Sequence, residues 1–285
     1  MNAPGPGTTE QRTSPAGECG SPSVVKSRAV GTPGPSGAGD AARHPAKFDP
    51  HILEVMAVWA AGSVLDPFAG TGRVHELRRL QPAVTQTVGV EIEIEWAKQS
   101  HGTVVGDALS LPFNAATFDT IVTSPCYGNR LADHHHAQDG SVRHSYTHDL
   151  GHELHPHNAG TLHFGESYRR FHTSAWREVI RVLMPGGRLV LNASDFIRDH
   201  QRIPVTTFHR VALRGLGLTV TREIPVAKRG LRFGANAAAR VDHELVMVFT
   251  KGVPPRSKGR RSTKHHRPPK PQLDGQLSIY DVLGA

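Results

Sequence analysis

The sequence predicts an α/β protein with a doubly wound, mostly parallel seven-stranded sheet, an antiparallel hairpin at one edge and disordered tails. Two observations carry this prediction. Between residues 44 and 250, apolar segments of strand-like spacing alternate with segments of helical spacing, which is typical of parallel strands joined by right-handed crossovers. The last two strand-like segments have no helical pattern between them, which indicates the antiparallel hairpin.

The strands are predicted from short apolar runs that end at polar or glycine-rich turns. Seven such runs occur, at residues 63–66, 86–91, 103–106, 118–123, 188–191, 219–226 and 244–250. Helices are predicted at residues 74–80, 95–99, 168–183 and 208–216. The third helix is expected to end at Met184-Pro-Gly-Gly and the fourth at Gly217, because proline and glycine stop helices.

The two ends of the chain differ in composition from the middle. Residues 1–43 are rich in Gly, Pro, Ser and Thr with almost no large apolar side chains, so they cannot bury enough surface to offset the entropy of ordering. We therefore assign a disordered tail to 1–43 and a folded domain to 44–250, with a histidine-rich insert at 131–167. Residues 251–285 form a basic disordered tail that ends in a short apolar motif.

The formal net charge of +8 is concentrated in the carboxyl-terminal tail. Residues 251–270 carry eight of the 33 Lys and Arg side chains and no Asp or Glu. The only two cysteines, Cys19 and Cys126, lie far apart, which excludes a disulfide scaffold and fits a reducing compartment. No apolar run approaches the roughly 20 residues that a membrane span needs, so we expect a cytoplasmic protein without membrane contact.

A glycine-rich turn follows the first predicted strand. The segment Val64-Leu-Asp-Pro-Phe-Ala-Gly-Thr-Gly-Arg-Val74 places an acid, Asp66, at the end of the strand and small residues before a helix. In an open α/β sheet this turn lies at the carboxyl end of the strand, where ligands bind. Gly70 and Gly72 allow the backbone to approach a ligand closely.

Acidic residues also end the next two predicted strands. Glu91 is placed to accept hydrogen bonds from a ribose diol, and Asp107 closes the third strand, where it can accept from an adenine amine. Three acids at the ends of three successive strands indicate a nucleotide-type pocket rather than surface decoration.

This arrangement resembles the class I S-adenosylmethionine-dependent methyltransferases, whose cofactor loop, ribose acid and adenine acid occur in this order. The resemblance implies a Rossmann-like methyltransferase fold and S-adenosyl-L-methionine as co-substrate, with no metal. A dinucleotide site is disfavoured, because the loop lacks the G-x-G-x-x-G spacing. The implied cofactor contacts are Asp66, Phe68, Gly70 and Gly72 at the methionine end, Glu91 at the ribose, and Ile92 and Asp107 at the adenine.

A second motif follows the fourth predicted strand. The segment Val122-Thr-Ser-Pro-Cys-Tyr-Gly-Asn-Arg130 resembles the S/D/N-P-P-Y/F turn of nucleic-acid amino-methyltransferases, in which an exocyclic base amine attacks the sulfonium methyl. The resemblance implies that Ser124 Oγ and the Pro125 carbonyl accept the amine hydrogens and that Tyr127 stacks on a base swung out of the helix. Ser at the first position resembles the cytosine-N4 group. The implied function is site-specific DNA methylation, at cytosine N4 before adenine N6.

Cys126 departs from the family pattern, since it replaces the second proline. Pro-Cys at this turn also occurs in cytosine-C5 methyltransferases, where the thiolate attacks the ring, but no Glu-Asn-Val-like element follows Cys126. We favour a buried, inert thiol. Two further alternatives stay open: an RNA methyltransferase acting on a guanine or adenine amine, and a catalytically inactive nucleic-acid-binding relative.

The histidine-rich insert leaves the predicted sheet beside Tyr127 and is expected to overhang the substrate opening. We interpret it first as a nucleic-acid loop, then as a solvated lid, and last as a metal site, for which His148 and His152 have i, i+4 spacing. The residues expected nearest the base are Asn129, Arg130 and Asp133. The connection between the last two strands adds Arg232, Asn236 and Arg240 as candidate nucleic-acid contacts.

DNA is the expected partner, with RNA as the runner-up. The cationic tail attracts nucleic acid regardless of its sequence and implies association with the nucleoid. Gln276-Leu-Ser-Ile-Tyr280 looks like the short peptides that dock on bacterial sliding clamps, which would couple methylation to replication. A restriction endonuclease is left open as a further partner.

Overall fold

Seven strands form one sheet in the computed structural model, which describes residue 44 and residues 49–128, 145–198, 200–228 and 241–253. A separate two-stranded sheet pairs β6 (Phe196–Arg198) with β7 (Gln201–Ile203), a hairpin too short to be predicted from its apolar pattern. The strands of the large sheet are β1 (Gly62–Asp66), β2 (Val84–Glu91), β3 (Thr103–Val105), β4 (Phe118–Thr123), β5 (Leu183–Ala193), β8 (Leu218–Ala227) and β9 (His243–Lys251).

The order of the large sheet is β3-β2-β1-β4-β5-β9-β8. Neighbouring strands from β3 to β5 are parallel, and β9 is antiparallel to both β5 and β8. The chain builds β1, β2 and β3 in one direction and then crosses to β4 on the other side of β1. The strand order therefore reverses between β1 and β4, which is where open α/β sheets bind ligands. The predicted fold class is confirmed, including the antiparallel edge hairpin.

Six helices lie in the described part of the chain: α1 (Pro50–Ala57), α2 (Leu77–Leu80), α3 (Ile94–Ala97), α4 (Tyr146–Leu150), α5 (Glu166–Val182) and α6 (Val205–Gly215). The helix α1 was not predicted; Asp49 is its N-cap, with a carboxylate that accepts from the His51 N–H, and proline occupies the first turn. The predicted helix at 74–80 is a 3-10 helix (Arg73–Glu76) followed by α2. None of these helices is long and apolar enough to cross a membrane.

The predicted turn at residues 184–187 is an irregular part of β5. The helix α5 stops before it as expected, but the pairing with β4 jumps from Leu183, opposite Phe118, to Arg188, opposite Thr120. The Pro-Gly-Gly stretch thus bulges out of the strand. A Cβ on Gly187 would lie only 2.8 Å from the carbonyl oxygen of residue 119, so this close approach requires glycine.

Alternation along the strands divides the core into two layers. Leu65 and Leu189 belong to the layer that includes Trp176 of α5, whereas their chain neighbours Val64 and Val190 pack with the buried face of α1. Both faces of the sheet are therefore covered. This explains why the parallel strands are nearly continuous apolar runs in the sequence.

The helix α5 also holds the segment that leads from β3 to β4. Arg181 donates through Nη1 to the Phe113 carbonyl at 2.7 Å and through Nη2 to the Leu111 carbonyl at 2.9 Å. The Arg181 guanidinium also pairs with Glu178 at 2.8 Å, and Glu178 accepts from the Leu111 N–H at 3.0 Å. These bonds fix the chain just after Asp107.

Arg181→Met is expected to lower the free energy of unfolding by about 2–4 kcal/mol, because two partly buried carbonyl oxygens lose their donors. Arg177→Met is the matched control, since Arg177 is exposed on the same helix, and its effect should stay within about 0.5 kcal/mol. Urea unfolding followed by tryptophan fluorescence measures both variants. Equal losses would contradict the role given to these bonds.

Candidate active site

A cavity of about 310 Å³ opens at the carboxyl ends of the parallel strands. This volume lies at the lower end of the range for small-molecule sites. The segment after β1 and the segment after β4 both line it, so the predicted cofactor loop and the predicted catalytic turn face the same space. The remaining wall comes from the ends of β2, β3 and β5, the start of β9, and residues 44, 49, 52, 96, 146, 157–159 and 171.

Asp66, a buried residue at the end of β1, forms a hydrogen bond with the glycine-rich loop. Its carboxyl group is fully buried, and Oδ1 accepts from the Phe68 N–H at 3.0 Å and from the Thr123 hydroxyl at 2.7 Å. Burial raises the pKa of Asp66 to about 7. Within the described residues, Oδ2 has no hydrogen-bond partner. Asp66 is not part of the cavity wall; it joins the loop after β1 to the end of β4.

Of the other predicted loop residues, two line the cavity and one maintains the conformation of the loop. Phe68 and Gly70 line the cavity, and the Phe68 ring packs against Phe171 and Trp176. Gly72 lies behind the loop with a φ of +80°, and a Cβ there would lie 2.4 Å from the side chain of residue 100. Gly72 therefore serves the loop's conformation.

Glu91 ties the loop to the end of β2. Its Oε2 accepts from the Gly70 N–H at 2.7 Å and its Oε1 from the Glu93 N–H at 2.9 Å. Burial raises the pKa of Glu91 to about 7, and the nearby Glu93 charge acts in the same direction. Each carboxylate oxygen has a second acceptor position. Glu91 can therefore hold the loop and still accept hydroxyl groups from a ligand.

Asp107 and Ile92 line the same side of the cavity as Glu91. Asp107 Oδ1 accepts from the Leu109 N–H at 2.8 Å, and Oδ2 lies 3.0 Å from Nδ1 of His157. The Asp107 side chain is 27% exposed, so Oδ2 remains within reach of a ligand amine. The sequence-predicted acids Glu91 and Asp107 are thus brought to one wall.

The described part of the histidine-rich insert, residues 145–167, packs on this wall, and the preceding part, which is expected to overhang the substrate opening, lies outside the described residues. Buried Glu93 anchors it, since Oε1 accepts from the His155 N–H at 2.8 Å and from Asn158 Nδ2 at 2.7 Å. His157 and Asn158 then line the cavity. This half of the insert is therefore part of the site's structure.

The structure gives the two histidines with metal-ligand spacing separate partners. His148 Nδ1 lies 2.9 Å from Asp149, and His152 Nε2 lies 3.3 Å from Glu95. No group of three or more His, Cys, Asp or Glu side chains among the described residues has an arrangement that could hold a metal ion.

On the other side of β1 from β2 and β3, the turn after β4 belongs to a four-residue polar cluster. Ser124 Oγ lies 2.9 Å from the Tyr127 hydroxyl, which donates to Glu244 Oε2 at 3.1 Å. Asn192 Nδ2 donates to the same Glu244 oxygen at 2.7 Å and to the Tyr127 hydroxyl at 2.9 Å. All four residues line the cavity, as does Pro125 between them. The cluster holds the Tyr127 hydroxyl on the sheet.

Cys126 lies in a small apolar cluster with Trp96, Tyr146 and Leu154. Its Sγ is 3.6 Å from the Tyr146 hydroxyl. Burial raises the pKa of the Cys126 thiol to about 11. The thiol is therefore protonated at neutral pH, which is the opposite of what a nucleophilic cysteine requires.

A buried chain of hydrogen bonds holds the turn from behind. Trp176 Nε1 donates to Nδ1 of His209 at 3.2 Å, His209 Nε2 lies 3.1 Å from the Tyr168 hydroxyl, and that hydroxyl donates to the Cys126 carbonyl at 2.8 Å. Because Nδ1 accepts, Nε2 of neutral His209 must carry the proton and donate to Tyr168. Burial lowers the pKa of His209 well below 6.5, and the neighbouring His172 adds to this. This series of hydrogen bonds from Trp176 to Cys126 requires the neutral tautomer of His209 with its proton on Nε2.

Six sequence-predicted substrate contacts lie outside the described residues: Asn129, Arg130, Asp133, Arg232, Asn236 and Arg240. The segment Gln276–Tyr280 also lies outside them. Sequence reasoning missed Glu93, Asn192, His209 and Glu244. Asn192 had a usable signal, since it follows four residues of strand at the carboxyl end of β5, where ligands bind. The roles of the other three depend on contacts distant in sequence.

No family model matches this sequence, and no curated protein matches it by sequence. Solved structures with a similar fold include the N-methyltransferase NodS from Bradyrhizobium japonicum, at 16% identity over 71% of this chain and 93% of that chain, with a TM-score of 0.41. The cyclase SpnF matches at 19% identity over 72% and 82%, with a TM-score of 0.44. A candidate DNA modification methylase from Thermus thermophilus matches at 23% identity over 54% of each chain, with a TM-score of 0.35. A shared fold of this kind does not assign a reaction.

His209→Gln is expected to lose stability at pH 7 and to be less sensitive to acid than the wild type. The native state keeps His209 neutral, so the unfolded chain binds the extra proton as the pH falls below 6.5, and the wild type loses stability. The difference in free energy of unfolding between the wild type and the variant should therefore shrink by about 2 kcal/mol between pH 7 and pH 5.

The measurement is urea unfolding of both proteins at the two pH values. His200→Gln serves as the control for the loss of one histidine, because His200 is exposed. If His209→Gln lowers the free energy of unfolding by the same amount at both pH values, the result would contradict a native state in which His209 is neutral.

Proposed function

We propose that this protein transfers a methyl group from S-adenosyl-L-methionine to an exocyclic base amine of DNA, at cytosine N4 in preference to adenine N6. The observation that carries the proposal is the shared cavity. Glu91 and Asp107, which follow strands on one side of β1, and Ser124 and Pro125, which follow β4 on its other side, all line it. A cofactor bound along the acids would direct its methionine end toward the turn.

The residues present fit this co-substrate. The Glu91 carboxylate keeps an acceptor position on each oxygen for a ribose diol, and Asp107 Oδ2 is accessible to an amine. Gly70 lines the wall, where a Cβ would approach the His44 ring to 3.1 Å. When bound, the sulfonium supplies an activated methyl carbon. The protein's task is then to place the accepting amine.

The turn is suited to that task. An aromatic amine is a poor nucleophile, because its lone pair is delocalised into the ring, and acceptors on its hydrogens orient that lone pair and take up developing charge. Half-buried Ser124 lines the cavity beside Pro125. The protonated, hydrogen-bonded Cys126 thiol argues against attack on a cytosine ring carbon. These features favour transfer to an amine nitrogen.

A nucleic-acid substrate is supported by the cationic segment at residues 251–270. Eight cations without an acid add a salt-sensitive attraction to a phosphate backbone. DNA is preferred to RNA on the resemblance of the turn alone, so the choice between the two polymers is an outcome of the experiment below.

Glu91→Gln is expected to weaken binding of S-adenosyl-L-methionine by about 10- to 100-fold, since hydrogen bonds to a charged acceptor are worth about 1.5–3 kcal/mol. Glu95→Gln is the control: Glu95 is close in sequence but outside the cavity wall. Isothermal titration calorimetry measures both affinities. Unchanged binding by Glu91→Gln would contradict the assigned cofactor end.

The wild type is expected to transfer labelled methyl from S-adenosyl-L-methionine to duplex DNA and to form N4-methylcytosine, as identified by mass spectrometry of nucleosides. Ser124→Ala should lower the rate by about 10²–10³-fold, because one oriented acceptor is lost, while cofactor affinity stays the same. The control is Ser110→Ala, since Ser110 is exposed and outside the cavity wall.

Other products of this experiment would correct the proposal in specific ways. A methylated RNA nucleoside would keep the mechanism and change the polymer, and N6-methyladenine would change only the base. C5-methylcytosine would contradict the assignment of the turn. Nucleic-acid binding without methyl transfer by the wild type would identify an inactive relative.

A further inference from the structure

Glu244 is the one acidic group within the polar cluster of Ser124, Tyr127, Asn192 and Glu244. It lies at the start of β9, where the antiparallel direction places it at the same edge as the carboxyl ends of β4 and β5. Two donors, the Tyr127 hydroxyl and Asn192 Nδ2, converge on its Oε2. The role proposed for Ser124 does not by itself explain why a carboxylate lines this end of the cavity.

The carboxylate determines the direction of the hydrogen bond between Ser124 and Tyr127. A carboxylate only accepts, so the single Tyr127 hydroxyl proton points to Glu244. The Tyr127 oxygen must then accept from Ser124, which lies 2.9 Å away. Ser124 consequently donates its proton to Tyr127 and accepts from Asn192 Nδ2 at 3.4 Å, which leaves one lone pair on Oγ for a ligand. Ser124 Oγ becomes an acceptor, as the orientation of an amine requires.

We propose that Glu244 is a positioning residue that acts through Tyr127 to make Ser124 an acceptor and that it receives the proton released on methyl transfer. This inference rests on the proposed function. As the amine nitrogen bonds to the methyl carbon, the carbon–sulfur bond breaks with its electron pair on sulfur, and the nitrogen becomes positively charged. One of its protons passes to Ser124 Oγ, the Ser124 proton passes to Tyr127, and the Tyr127 proton passes to the Glu244 carboxylate.

Asn192 stabilises the end of this relay. Its side chain is buried, and Nδ2 donates to both Glu244 Oε2 and the Tyr127 oxygen. These bonds hold the Glu244 carboxylate beside the Tyr127 hydroxyl, and a hydrogen bond to a carboxylate is stronger than one between neutral groups. Burial also raises the pKa of Tyr127 well above 10, with the Glu244 charge acting in the same direction, so Tyr127 stays protonated and passes a proton on only as it receives one.

The experiment compares single-turnover methyl transfer to DNA in H2O and in D2O for the wild type, Tyr127→Phe, Glu244→Gln and the double variant. Each single variant should transfer methyl about 10²-fold more slowly, with unchanged affinity for S-adenosyl-L-methionine. The double variant should be no slower than Tyr127→Phe, because both changes interrupt one relay. The wild type should show a solvent isotope effect that both single variants lose.

Asp242→Asn is the matched control: Asp242 is an exposed acid two positions before Glu244 and is not part of the cavity wall. It should keep the rate and isotope effect of the wild type. A supporting role of Glu244 in packing alone would slow the reaction and leave the isotope effect intact, which would overturn the proposal. The proposal would also be overturned if the rate reductions of the two single variants multiplied in the double variant, or if the wild type showed no solvent isotope effect.

Failure of this inference is distinguishable from failure of the proposed function. A wild type that methylates DNA while Glu244→Gln behaves like the wild type overturns the relay alone. A wild type that methylates neither DNA nor RNA, although it is folded and binds S-adenosyl-L-methionine, overturns the proposed function and the relay together.

Discussion

Burial of two carboxyl groups at the carboxyl edge of the sheet is the constraint on which the site depends. Removing a carboxylate from water is costly, and the cost is offset only where donors surround it. Asp66 obtains donors from the Phe68 N–H and from Thr123, and Glu91 from the Gly70 N–H. The same bonds that compensate burial fold the loop after β1 between β2 and β4. The loop conformation and the buried acids therefore stabilise each other.

The two acids also make the site's charge sensitive to pH near neutrality. Burial raises the pKa of both Asp66 and Glu91 to about 7. Since the native state binds these protons more tightly than the unfolded chain, these two groups favour the native state below about pH 4, and this contribution is lost as the pH rises towards 7. The buried histidines act in the opposite direction, because they are neutral when folded. Stability near neutral pH is a balance of these two contributions.

The turn after β4 is held from two sides. Behind it, Tyr168 donates to the Cys126 carbonyl at the end of a chain that begins in α5 and α6. In front of it, Asn192 and Glu244 hold the Tyr127 hydroxyl. A second proline would stiffen this turn through its own ring. Here the position is occupied by Cys126, and the Tyr168 bond and the packing of its thiol against Tyr146 supply the restraint instead.

The sequence by itself determined the seven strands, the mostly parallel direction of the sheet and the position of its ligand edge. These follow from local patterns: apolar alternation, a glycine-rich turn, and acids directly after strands. The sequence also singled out Glu91 and Asp107, because each ends a recognisable strand and so faces the edge where ligands bind. Ser124 was singled out by the resemblance of its turn to that of the amino-methyltransferases.

Only the tertiary structure decided which partners these residues have. Asn192 and Glu244 are 52 positions apart, Tyr127 and Glu244 are 117 apart, and Trp176 and His209 are 33 apart. No local pattern encodes such pairs, because they arise from the order in which strands and helices pack. The histidine-rich insert illustrates the same limit. Its composition favoured a nucleic-acid loop, with a solvated lid second, and gave no sign that buried Glu93 accepts hydrogen bonds from His155 and Asn158, contacts that exist only after the sheet has formed.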